Sequence, residues 1–96
     1  MIVTMLEGRV AAEHWDTLKQ SFASASEKLP SAIRESYLVQ SDADEQFWRV
    51  ITVWHSREAL REYRKSVETP GGVVMFREAG VEPALSLFEV QVHAPE

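Results

Sequence analysis

The segment "FWRVITVW", residues 47–54, constrains the fold more than any other part of the chain. Phe47, Ile51 and Val53 occupy one set of alternating positions, and Trp48, Val50 and Trp54 the other. Successive strand residues point to opposite faces, so a strand with one wet face carries polar residues at every second position. This segment is apolar on both sides. It predicts a strand whose two faces are both covered.

The flanking sequence supplies its partners. Residues 2–9, "IVTMLEGR", read as a first strand. In "VAAEHWDTLKQSFASASEKLP", Ala11, Trp15, Leu18, Phe22, Ala25 and Leu29 recur at steps of four and three, which is one face of a helix. Pro30 ends it. "AIRESYLVQ", residues 32–40, alternates with Ile33, Glu35, Tyr37 and Val39 on one side, and the acidic turn "SDADEQ" joins it to the 47–54 strand as a hairpin. Ser56 is placed to cap a second helix with Leu60, Tyr63 and Val67 along its apolar stripe. "TPGGVVMFREAG" predicts a short third helix capped by Thr69, with Pro70 at its first position and Gly80 at its end. "ALSLFEVQVH", residues 84–93, predicts the last strand.

The order β-α-β-β-α-(α)-β is that of a ferredoxin-like α+β fold: a four-stranded antiparallel sheet with its helices on one face. The 96 residues fit one domain, residues 1–96. Helices on one face leave the other apolar face bare, and a bare patch of several hundred Å² is unusual on a monomer. The sequence therefore predicts a homodimer through the sheet face, two sheets packing about a two-fold axis.

Composition narrows the chemistry. There are no cysteines, which removes disulfides, thiolate metal sites and a cysteine nucleophile. The net charge of −5 argues against nucleic acid as a partner. The run Arg57, Arg61, Arg64 and Lys65 is interleaved with Glu58 and Glu62, as on a solvated helix face. The N-terminus lacks a signal-peptide pattern, and no apolar run approaches the ~20 residues a membrane span needs, so a soluble cytoplasmic protein with no membrane partner is expected. His14, His55 and His93 lack ligand spacing, so no metal is expected. No serine-nucleophile elbow or phosphate-binding loop occurs. Glu35 and Glu89, the carboxylates on strands, are expected to pair with Arg34 or Arg49.

What remains is aromatic. Trp15, Phe22, Trp54, Tyr63 and Phe76 fall on helix stripes or on the sheet, where they either fill the helix–sheet layer or line a cavity for a flat apolar ligand. His55, at the junction of strand and helix, and Tyr37 are the candidates for moving a proton.

"VITVWHSREALREYRKS" resembles the antibiotic biosynthesis monooxygenase (ABM) family: a third strand ending in Trp54, the capping Ser56, and the helix start Glu58-Ala59-Leu60. "FREAGVEPALSLFEV" is similar to the family's last segment. The resemblance implies a dimeric α+β barrel. It also implies, for some members, oxidation of polycyclic aromatic compounds by molecular oxygen with no metal or flavin cofactor. Trp54 matches the family's Trp and Arg77 a family arginine, whereas Val50 stands where an Asn belongs and Leu60 where a helix Tyr belongs. Haem-degrading relatives use an Asn on strand 1, a Trp on helix 2 and a His on the following helix; here strand 1 has no Asn, Tyr63 stands near the Trp position and "VVMFREA" has no His. Two expectations follow. One is a cofactor-independent monooxygenase acting on an aromatic or quinone-like small molecule, with His55, Tyr37 and Arg77 as catalytic candidates and Trp54, Tyr63, Phe76, Trp15 and Phe22 as substrate-binding ones. The alternative is a non-catalytic dimeric module of the same fold that binds a small ligand or regulates.

Overall fold

The computed structural model describes residues 1–95. Its elements are β1 (Ile2–Arg9), α1 (Trp15–Ser26), β2 (Ile33–Gln40), β3 (Phe47–Trp54), α2 (Arg57–Ser66), α3 (Gly71–Glu78) and β4 (Ala84–Glu89), with a single 3₁₀ turn at Ala12–His14 leading into α1. All strands are antiparallel in the order β2-β3-β1-β4. The two central strands, β3 and β1, are hydrogen-bonded on both sides.

Alternation sorts the side chains as expected. Trp48, Val50, Thr52 and Trp54 of β3 are buried under the helices, beside Ile2, Thr4 and Leu6 of β1. Beneath the helices the core divides in two. Leu6, Val10, Leu18, Trp48, Val50, Met75, Phe76 and Ala79 form the larger cluster, and Trp15 tilts against Trp48 with ring centroids 5.8 Å apart. Ile2, Trp54 and Leu60 form the smaller one, with Ile33 and Tyr63 at its edge.

Among the described residues no element covers the opposite face. Val3 and Met5 of β1, Phe47, Ile51 and Val53 of β3, and Phe88 of β4 point there. Arg49 and Glu7 face each other across β3 and β1, paired at 3.0 Å.

Local details differ from the sequence expectation. The first helix is shorter than its expected stripe: α1 runs from Trp15 to Ser26, so Ala11 and Leu29 lie outside it and are exposed. A register irregularity between Ile33 and Glu35 bulges β2 at Arg34, so Ile33 lies opposite Trp54 on the helix side rather than beside Tyr37. A bulge adds one residue, which moves everything before it to the other face. Ser56 caps α2 by accepting the Ala59 N–H at 3.0 Å, but Thr69 does not cap α3, whose N-cap is Pro70. β4 stops at Glu89, short of residue 93. The expected partners of the strand carboxylates also differ: Glu89 pairs with Arg57 at 3.5 Å, Arg49 pairs with Glu7, and Glu35 bonds Tyr37.

Two glycines set where α3 sits. A Cβ on Gly72 would lie 2.6 Å from Leu6 Cδ1, so glycine lets the helix rest directly on β1. Gly80 ends the helix at φ +81°, a region L side chains rarely enter. Phe76, fully buried in the larger cluster, pins α3 to the core. Phe76→Ala is expected to cost about 3–5 kcal/mol of stability, measured by urea unfolding, because it leaves a cavity in the fully buried centre of the larger cluster.

Candidate functional site

The N-terminal half of α1 is held tightly: Trp15 donates its indole N–H to the Val10 carbonyl at 2.8 Å, and Leu18 is fully buried. Farther along, Ala25 and the following Leu29 are exposed. The end of the helix thus stands off the sheet, and a cavity of about 120 Å³ opens between it, the sheet and the start of α3.

Its walls are mainly apolar. Phe22 and Leu29 come from the α1 side, Ile33 from the bulge of β2, Val50 and Trp54 from β3, and Tyr63 from α2. Trp54 and Tyr63 make the aromatic wall, with ring centroids 5.1 Å apart and planes inclined at 45°. Among the lining residues Arg64 is the one charged side chain; it is exposed and so belongs to the mouth.

The floor is polar. Thr4 lies directly opposite Thr52, and Thr52 opposite Ser36, so three hydroxyl residues form a row across β1, β3 and β2. Thr4 and Thr52 are only 6% and 7% exposed. The Trp54 indole N–H donates to Thr4 Oγ1 at 2.9 Å, and the Ser36 and Thr52 hydroxyls bond each other at 2.9 Å. On the opposite wall the Tyr63 phenol oxygen accepts the Gly71 N–H at 3.0 Å.

Of the residues picked out by sequence, Trp54, Tyr63 and Phe22 meet at this cavity. The others lie elsewhere. Trp15 and Phe76 pack in the larger core cluster. His55 lines a shallow groove on the far side of Tyr63, with Glu62 and Ser66. Tyr37 is on the open sheet face, where it donates to Glu35 Oε2 at 2.5 Å. Arg77 is on the surface and holds Glu82 through two bonds of 2.8 and 2.9 Å. That pairing keeps the Glu82 carboxyl below its ordinary 4.5. Sequence reasoning passed over Thr4, Thr52 and Ser36. The signal was there: each is a polar residue on the core side of an alternating strand.

Among the described residues no group of three or more His, Cys, Asp or Glu side chains is placed to hold a metal ion, and no helix is long and apolar enough to cross a membrane.

A ferredoxin-like sheet with one face under helices, and an apolar cavity between the two layers, defines an α+β domain able to enclose a small molecule. Residues 1–69 match the antibiotic biosynthesis monooxygenase family, and the chain belongs to that family. The match runs through Trp54 and α2 and stops just before α3. Solved structures share the fold at low identity. A Deinococcus radiodurans protein assigned to the antibiotic biosynthesis monooxygenases superposes with a TM-score of 0.75 at 11% identity, over 100% of this chain and 98% of its own. SnoaB, a cofactor-independent oxygenase from Streptomyces nogalater, gives 0.66 at 17% identity, over 99% and 97%. A mutant of MhuD with two manganese protoporphyrin IX molecules bound per active site gives 0.73 at 20% identity, over 100% of both chains. A search of curated protein sequences finds no match.

The Tyr37–Glu35 bond has a titration consequence. The carboxylate accepts the phenol proton, and this bond raises the Tyr37 pKa above the ordinary 10.0. Since the folded value is the raised one, the bond's contribution is complete below pH 10.0 and is lost as pH climbs through the raised value. Phenolate absorbance followed against pH, with Tyr37→Phe subtracted from the wild type, isolates the Tyr37 step. That step is expected above pH 10.0 in the wild type and to move back toward the ordinary value in Glu35→Gln.

Proposed function

We propose that the protein is a monooxygenase of the ABM type that needs no cofactor and acts on an aromatic or quinone-like small molecule held in the cavity beside Trp54. The observation that carries this reading is the cavity itself, an apolar slot walled by the Trp54–Tyr63 pair and Phe22, with its one charged lining residue at the mouth. A flat apolar ring system is the ligand such walls suit, since aromatic faces offer large contact area in preferred tilted and offset geometries.

The reaction class balances without an added reductant. A substrate methylene activated by neighbouring carbonyl or phenol groups loses a proton to give a carbanion, which transfers electrons to molecular oxygen. One oxygen atom ends in a new carbonyl and the other in water, so the carbon gives up the four electrons that the oxygen takes. In this reading the protein's part is to orient the substrate, exclude bulk water and stabilise the anion. Trp54, Tyr63 and Phe22 are the binding residues. His55 and Tyr37 stay proton-handling candidates only if substrate binding or dimer formation brings them to the reacting atoms, because in the monomer one sits behind Tyr63 and the other on the opposite face. Arg77 is a candidate under the same condition. Metalloporphyrin binding like that in the MhuD structure finds less support, since none of the residues lining the cavity is a histidine.

The protein is expected to consume oxygen with one or more members of a panel of hydroxylated polycyclic aromatics. Trp54→Ala should lower that rate by about 100-fold through loss of positioning. No uptake and no binding across the panel would end the oxygenase reading. Binding with no uptake would instead favour a non-catalytic ligand-binding module.

The bare sheet face belongs to the same proposal. Val3, Met5, Ile51, Val53 and Phe88 make an apolar surface that a second copy of the chain would cover, giving a homodimer. Sedimentation should give a dimer mass, and Val53→Glu, a charge at the centre of that face, should give a folded monomer.

A further inference from the structure

The hydroxyl row on the cavity floor is unusual in a core. A threonine at a core-facing strand position costs free energy unless its hydroxyl is bonded, and valine has nearly the same shape. Thr4 has a structural reason, because it accepts the Trp54 indole proton. Thr52 and Ser36 satisfy only each other.

The hydrogen atoms are what matter. Thr4 spends an acceptor lone pair on Trp54, and its own proton finds no protein acceptor among the described residues. Thr52 and Ser36 share one bond, which uses one of their two protons. Tyr63 spends a lone pair on the Gly71 N–H and keeps its phenol proton. All four residues line the cavity. The site therefore presents three unspent hydroxyl donors inside otherwise apolar walls.

We infer that Thr4, Thr52, Ser36 and Tyr63 together are the specificity element of the cavity, a donor set that selects flat ligands carrying carbonyl or phenolate oxygens over hydrocarbons of the same shape. The inference rests on the cavity being the ligand site proposed above, and it adds the groups that discriminate there. Aromatic walls bind any flat apolar body, whereas spare donors among apolar walls penalise a ligand that displaces their solvent and leaves them unpaired. The same donors would stabilise negative charge on a substrate oxygen as a proton leaves.

The test compares 1,4-naphthoquinone with naphthalene by equilibrium dialysis. The absence of cysteine removes thiol addition to the quinone as a complication. The wild-type protein should bind the quinone about tenfold more tightly. The double variant Thr52→Val/Ser36→Ala removes both partners of one bond and so leaves no orphaned group. It should bind naphthalene as before and lose most of the preference for the quinone. Tyr63→Phe, which leaves the strands untouched, should reduce the preference independently and carries the comparison if the double variant does not fold. Equal binding of the two ligands by the wild type, or an undiminished preference in the folded variants, would overturn the donor-set inference while leaving the cavity as an apolar binding site. Binding of neither ligand would overturn this inference and the cavity reading together.

Discussion

The structure depends on a central strand that is apolar on both faces while helices are available for only one. β3 pairs with β2 on one side and β1 on the other, and its Trp48, Val50 and Trp54 drive the helices down onto the sheet. Burial of such side chains contributes roughly 1.5–3 kcal/mol each, which is large beside the net stability of a small domain. The same alternation turns Phe47, Ile51 and Val53 outward. One short sequence thus sets the core, fixes the helix-bearing side and creates the opposite apolar surface.

The cavity exists because that covering layer is uneven. Trp15 and Leu18 hold the start of α1 against Trp48, and Gly72 lets α3 rest on Leu6. Toward the other end, α1 leaves the sheet and its exposed Ala25 no longer contributes to the core. The resulting space is bounded by the smaller cluster around Trp54 rather than filled by it. Closing the gap would need larger side chains at positions such as Ala25, Val50 or Gly71, all of which line it. Small residues border the space and hydroxyl residues form its floor, where a close-packed core would be filled by larger apolar side chains.

Much of the fold was legible because helix and strand periodicities are local. The stripe of Trp15, Leu18 and Phe22, the alternation from Phe47 to Trp54, the Ser56 cap and the Gly80 stop each depend on residues within a few positions of one another. Two of the misplacements came from single-residue effects. One extra residue at Arg34 moved Ile33 to the other face of β2, and Pro70 rather than Thr69 took the cap of α3. The site was only partly legible. Trp54, Tyr63 and Phe22 were recognisable as aromatic walls, but nothing local in the sequence separates them from Trp15 and Phe76, which are equally aromatic and simply fill the core.

By itself the sequence determined the element order, the helix-facing side of the central strands and the presence of a second apolar face, because these follow from periods of 2 and 3.6 residues. The tertiary structure decided which aromatic residues border empty space, since that depends on how far α1 stands from the sheet. It also decided that Thr4, Thr52 and Ser36 lie side by side, through the register of three strands distant in sequence. It placed Tyr37, His55 and Arg77 away from the cavity for a related reason: a side chain's chemistry is written in the sequence, but its neighbours are set by long-range pairing and packing.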